Sequence, residues 1–201
     1  MKSIQSILLG IILISFVSCS KEDTVHMEQH DKNVMMKEMH KMMHKMMNTP
    51  MPGDPDHHFA KMMMLHHQGA INMADIVLKD GKDTTIRSMA HMMKEMQTME
   101  IAELQSFLDH HLPHEMDPEF NMKMEMSMEK MDRNADLQII NGNLDHDFAI
   151  LIIFHHQSAI EMADLVIHYG HEAMINHMAE KMKADQEKEI AELQKWLLKN
   201  R

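Results

Sequence analysis

Residues 66–77 read HHQGAINMADIV and residues 155–166 read HHQSAIEMADLV. Each stretch sets two histidines into an apolar run and follows them with a methionine, Met73 or Met162. Burying an imidazole without a partner is costly, so each ring needs a hydrogen bond or a metal. A core histidine bonded to glutamine or carboxylate is the usual outcome for one buried ring. A duplicated pair beside duplicated methionine tilts the reading toward ligation. His66, His67, His155 and His156 are therefore candidate metal ligands. Helical spacing places Met63 one turn before His66 and Met73 two turns after it on the same side. Ile152 stands where the first copy has Met63, so the two sites are expected to differ in their ligands.

The composition names the kind of metal. Methionine occurs 29 times and histidine 18 times, with few aromatic residues. Methionine is flexible and polarizable, suited to filling a core or to meeting a soft ion. Thioether and imidazole at low coordination number suit copper(I), and silver(I) should compete by the same softness. Copper(II) fits this donor set less well, and zinc prefers histidine with carboxylate or thiolate. Thioether does not titrate, whereas imidazole protonates near neutrality, so histidine-dependent binding should weaken as pH falls. The formal net charge of −11 argues against nucleic acid as a partner, because phosphate binding wants a basic patch. The expected partners are metal ions and other copper-handling proteins.

The single cysteine, Cys19, follows a lysine and a short apolar run, MKSIQSILLGIILISFVSCS. The run falls short of the roughly 20 residues that span a bilayer and reads as an export signal over residues 1–19. Phe16-Val17-Ser18-Cys19 resembles the lipobox of bacterial lipoproteins, in which the cysteine becomes the lipidated first residue. Phe16 replaces the usual leucine there, which leaves plain secretion as the alternative. A lipid on Cys19 would be the only membrane attachment. Export to a periplasm or an outer membrane surface fits a protein without free thiols.

Further candidates lie elsewhere. Met89 and Met93 are one turn apart, as are Met178 and Met182, and a packed bundle could bring Met93 toward His66 or His67. Gln97, Gln186, Glu100 and Glu189 read as a buried hydrogen-bond network. Within residues 20–53, a helix would carry Met36, His40, Met43, His44 and Met47 along one stripe, for core packing or for metal loading. In the connector over residues 112–143, Met122, Met124, Met126 and Met128 alternate in MKMEMSM. An extended chain would put these thioethers on one face, where soft-metal capture is expected.

The elements that must position these residues come from a duplication. An offset of 89 residues, the interval from His66 to His155, aligns residues 56–108 with 145–197, and about half of the aligned positions are identical. Phe59, Met63, His66, Ala70, Met73, Ala74 and Val77 share a helical face, matched by Phe148, Ile152, His155, Ala159, Met162, Ala163 and Val166. Gly81 and Gly170 mark helix ends. A second helix in each copy carries Ile86, Met89, Ala90, Met93, Gln97, Ile101, Leu104 and Leu108 on one face, repeated by Ile175, Met178, Ala179, Met182, Gln186, Ile190, Leu193 and Leu197. Each copy is thus a helical hairpin, over residues 54–111 and 144–201. A lone hairpin cannot bury both apolar stripes, so the two are expected to form an all-α four-helix bundle. Pro113, Pro118 and Asn141-Gly142-Asn143 argue against one helix through the connector.

The phrase His66 to Ala74 with Gln97, Glu100 and Ile101 resembles the family called domain of unknown function 305. So does His155 to Ala163 with Gln186, Glu189, Ile190, Trp196 and Leu197. Phe107-Leu108 stands for Trp-Leu in the first copy. The resemblance spans about residues 54–200. It implies a ferritin-like four-helix bundle, usually exported, whose methionine-rich members are associated with copper binding and tolerance. The leading expectation is a non-enzymatic envelope protein that sequesters or delivers copper(I) and silver(I). A ferritin-like redox enzyme such as a cuprous oxidase is the second reading, and a structural bundle without metal is the third. The chain holds no Glu-x-x-His, which counts against a di-iron site.

Overall fold

The structure is a computed structural model and describes residues 27–50 and 54–200. The export segment and Cys19 lie outside these residues. A 3-10 turn, His30–Lys32, leads into six helices. They are α1 (Val34–Met47), α2 (Pro55–Asp80), α3 (Thr84–His110), α4 (Pro118–Asp136), α5 (Leu144–Tyr169) and α6 (Ala173–Lys199). No strand occurs among the described residues, so the chain is all-α as its periodicity indicated.

Local chemistry starts each helix of the first hairpin. The Asp54 carboxylate accepts the His57 N–H at 2.8 Å, and Pro55 opens α2 where its missing N–H costs nothing. Asp83 caps α3 through Thr85 and Ile86. In the second hairpin Asn143 caps α5 through Asp145 and His146. Gly142, at φ +81°, makes the turn before it, a conformation that other residues rarely adopt.

Helices α2 and α3 pack as one hairpin and α5 and α6 as another, and the hairpins join through α2 and α5. Every residue assigned to the first-helix faces is buried, from Phe59 to Val77 and from Phe148 to Val166. Helix α5 is long and apolar enough to cross a bilayer. Here it packs against α1, α2, α4 and α6, which accounts for that apolarity.

The two hairpins also hold each other's turns. Asp56 of α2 accepts the N–H groups of His171 and Glu172 in the α5–α6 turn, at 2.8 and 3.3 Å. Asp145 of α5 accepts those of Lys82 and Asp83 in the α2–α3 turn, at 2.9 and 3.0 Å. Gly81 and Gly170 stop their helices at φ −66° and −74°, so a left-handed backbone is not what selects them. Close approach is. A Cβ at Gly81 would lie 2.7 Å from Asp145 Oδ1, and one at Gly170 would lie 2.6 Å from Asp56 Oδ1.

Two expectations need correction. The MKMEMSM run is not extended but lies within α4. Met124 and Met128 are fully buried, while Met122 and Met126 are exposed, so no single thioether face exists. The helix wins because Phe120, Met124, Met128, Met131 and Ala135 fall on one side of it and are buried together. The α1 stripe is also split. Met36 and Met43 pack inward with Met35, Met39, Met42 and Met46. His44 and Met47 are exposed, and His40 reaches Asp136 of α4 at 2.8 Å. Helices α1 and α4 thus cover the α2–α5 pair, with Met42 lying over the side chain-free surface at Gly69.

Candidate metal centre

The duplicated histidines meet where α2 packs on α5. The rings of His66 and His155 stack with centroids 3.5 Å apart and planes 31° apart. His155 Nε2 donates to the His66 carbonyl at 3.0 Å. That bond leaves Nδ1 as the lone-pair nitrogen of His155, and Nδ1 is buried without a partner. His66 Nε2 lies 3.5 Å from Ser158 Oγ, and its Nδ1 is likewise unpartnered. Burial, and then the neighbouring imidazoles led by His155, holds the pKa of His66 well below its ordinary 6.5. Burial, followed by His156, does the same to His155. Both rings are neutral near pH 7.

His67 and His156 flank this stacked pair, with centroids 6.3 Å from His66 and 5.8 Å from His155. Each faces a carboxylate from the second helix of its own hairpin. His67 Nε2 is 2.9 Å from Glu100 Oε2, and His156 Nε2 is 2.8 Å from Glu189 Oε2. Neither contact has the alignment of a hydrogen bond, and both nitrogens of each ring stay unpaired. Gln97 and Gln186 do not complete a network. Both amide atoms of Gln97 and Oε1 of Gln186 are buried without partners. Orphaned buried groups at this density call for an explanation, and an absent ion or water is the usual one.

A cavity of about 20 Å³ opens beside His156. Glu189, Glu192, Met89, Met92 and Met93 line it, with Phe148, Ile152 and Leu193. Its size suits one water molecule or one bare cation. Met93, expected near the first copy's histidines, therefore shares a cavity with His156 of the other hairpin. Met63, Met73, Met162, Met178 and Met182 are buried in the core. Among the described residues no three His, Cys, Asp or Glu side chains are grouped as a metal centre. Thioethers would have to complete any ligand set.

Sequence reasoning missed three residues on α3. Met92 and Met99 are exposed, Met96 is half-buried, and all three continue the line begun by Met89. Their counterparts 89 residues on are Lys181, Asp185 and Lys188. Lys181 Nζ lies 2.9 Å from Asp185 Oδ2 and 3.9 Å from Glu100 Oε1. The signal lay in positions where the copies differ, whereas the positions they share marked the core and the histidine pairs.

The fold has solved relatives. A DUF305 fragment from Deinococcus radiodurans matches with a TM-score of 0.55 at 22% identity, covering 74% of this chain and 99% of that one. A DUF305 protein from Streptomyces coelicolor, described provisionally as secreted, matches with a TM-score of 0.58 at 24% identity, covering 73% and 92%. No curated protein matches the chain. The model of the Domain of unknown function (DUF305) matches residues 56–197, which takes in both hairpins and their histidine pairs, and the chain belongs to that family.

Proposed function

We propose that this chain is a non-enzymatic copper(I)-binding protein of the cell envelope, with silver(I) as a competing ion, acting in sequestration or delivery. One observation carries the reading. Six imidazole nitrogens of the buried histidine quartet lack hydrogen-bond partners, and a thioether-lined cavity the size of one ion adjoins one of the four rings, His156. Neutral imidazole and thioether are soft donors that copper(I) accepts. The four repeat helices would serve as a ferritin-like bundle that holds these donors rigidly. Envelope location rests on the lysine, apolar run and Cys19 of the first residues. The provisional assignment of the Streptomyces relative to secretion agrees with it. A lipid at Cys19 would tether the protein, and copper-handling proteins would be its partners.

The test is anaerobic titration of the full chain with copper(I) against a chromophoric chelator. Tight equivalents withdrawn from the chelator, and displaced by silver(I), are the expected result. No competition would overturn the reading and leave the histidines as core residues. Oxygen uptake on adding copper(I) separates binding from a cuprous oxidase, and none beyond the protein-free rate is expected.

A further inference from the structure

We propose that the two histidine–glutamate flanks have diverged into one metal site and one closed counterpart. His156, Met89, Met92 and Met93 take a single soft cation, with Glu189 balancing its charge. At the other flank the ammonium of Lys181 stands where the cation would be needed. The inference rests on the copper(I) reading and adds to it which flank binds and why.

Charge is the first argument. Glu189 Oε2 is buried and unpartnered, and its only ionic neighbour among the described residues is His156. Glu100, the equivalent group, has Lys181 Nζ at 3.9 Å in addition to His67. A carboxylate drawn out of water wants a cation nearby. One flank has it built into the chain, and the other has a cavity instead. Donor chemistry is the second argument. Where α6 carries Lys181, α3 carries Met92, so the cavity gains a thioether at the position that elsewhere supplies charge. Three thioethers and one imidazole outnumber the carboxylates of Glu189 and Glu192 at the cavity, a balance that favours copper(I) or silver(I) over zinc.

Access is the third argument. Met89 and Met92 line both the cavity and the surface groove outside it, which Lys195 and Trp196 also border. Met92 is 53% exposed and Met99 63% exposed. A large apolar side chain kept in water at these sites gains little from packing, so core filling does not account for them. Met92, Met96 and Met99 follow one another along one face of α3, with Met92 at the cavity.

The experiment is the copper(I)–chelator titration on the full chain and on His156→Gln, His67→Gln, Met92→Leu and Lys181→Met. His156→Gln and Met92→Leu should each weaken the tightest equivalent by about tenfold or more beyond the effect of His67→Gln. Lys181→Met, which gives α6 the α3 residue, should add a tight equivalent. Met92→Leu keeps volume at a half-exposed site, so its loss of binding cannot be assigned to unfolding. Copper X-ray absorption of the singly loaded protein should show sulfur-dominated coordination. Equal weakening by His67→Gln and His156→Gln, with no gain from Lys181→Met, would overturn the divergence while leaving copper binding intact. Failure of the unsubstituted chain to compete with the chelator would overturn the copper reading itself.

Discussion

Helices α3 and α6 hold equivalent places in the two hairpins, and their inner faces nearly coincide. Met89 answers Met178, Met93 answers Met182, Gln97 answers Gln186 and Glu100 answers Glu189. Their outer faces do not coincide. α3 presents Met92, Met96 and Met99, and α6 presents Lys181, Asp185 and Lys188. The charged set makes ordinary surface pairs, Lys181 with Asp185 at 2.9 Å, of little worth to stability. The methionine set makes no such pairs, and its first member, Met92, lines the cavity at His156. The shared positions build the fold. The divergent ones distinguish one flank chemically from the other.

The most damaging way to probe the shared part is through the crossed caps. Asp56 and Asp145 each hold two N–H groups of the opposite hairpin's turn. Asp56→Ala and Asp145→Ala should each cost about 3 kcal/mol, from lost charge-assisted bonds and N–H groups left unpaired. Urea unfolding followed by circular dichroism measures both. Similar losses confirm that the hairpins depend on each other symmetrically, and a large loss from only one would break the comparison at its base.

Acid probes the stacked pair in an effect of comparable size. His66 and His155 are held neutral in the folded chain, their pKa values well below the ordinary 6.5. Below that value the unfolded chain takes up protons that the folded chain refuses, so stability falls as pH falls. It is fully present above about 6.5 and is lost from there downward, by about 1.4 kcal/mol per pH unit for each ring. Unfolding free energies of the metal-free protein between about pH 7 and 5 should show this slope. His66→Gln and His155→Gln should each reduce it, and the part that remains is expected from His58, whose pKa burial also lowers. An unchanged slope in either variant would mean that its ring is not held neutral by the fold.

Glycine at the helix ends gives a smaller effect. Gly81→Ala and Gly170→Ala should each cost about 2 kcal/mol by forcing a Cβ against a buried carboxylate and a backbone carbonyl. Thermal unfolding reads the loss. Adding Asp145→Ala to Gly81→Ala should cost less than the sum of the two, since the clash is partly with the side chain removed.

Much of this arrangement was legible before any coordinates. Phe59 to Val77 and Phe148 to Val166 recur at helical spacing, and all are buried as assigned. Helix α4 is hard to read from sequence because methionine occupies both of its sides. Met122 and Met126 filled the exposed face between Met124 and Met128, so a strand-like alternation masked a helical stripe anchored by Phe120. The crossed caps were illegible for another reason. They join residues 115 and 63 positions apart, and the 89-residue offset relates copies without saying which parts of them touch. The α3 stripe stands in plain view, but agreement between the copies points away from it. At Met92 and Lys181 the information lies in disagreement.

That point yields the smallest predicted change in stability and the sharpest test of the comparison. Met92→Lys gives α3 the residue that α6 carries. If Met92 were a core residue, burying a lysine there would cost several kcal/mol. At 53% exposure the substitution should move the unfolding free energy by less than about 0.5 kcal/mol. The new ammonium should lie near Glu189, as that of Lys181 lies near Glu100. Stability would then hold while the thioether is removed and the Glu189 carboxylate is balanced. A large loss of stability would return the methionine stripe to the core and erase the distinction between α3 and α6. A near-neutral result, with loss of the tightest copper(I) equivalent, would locate that distinction in ligand chemistry rather than in packing.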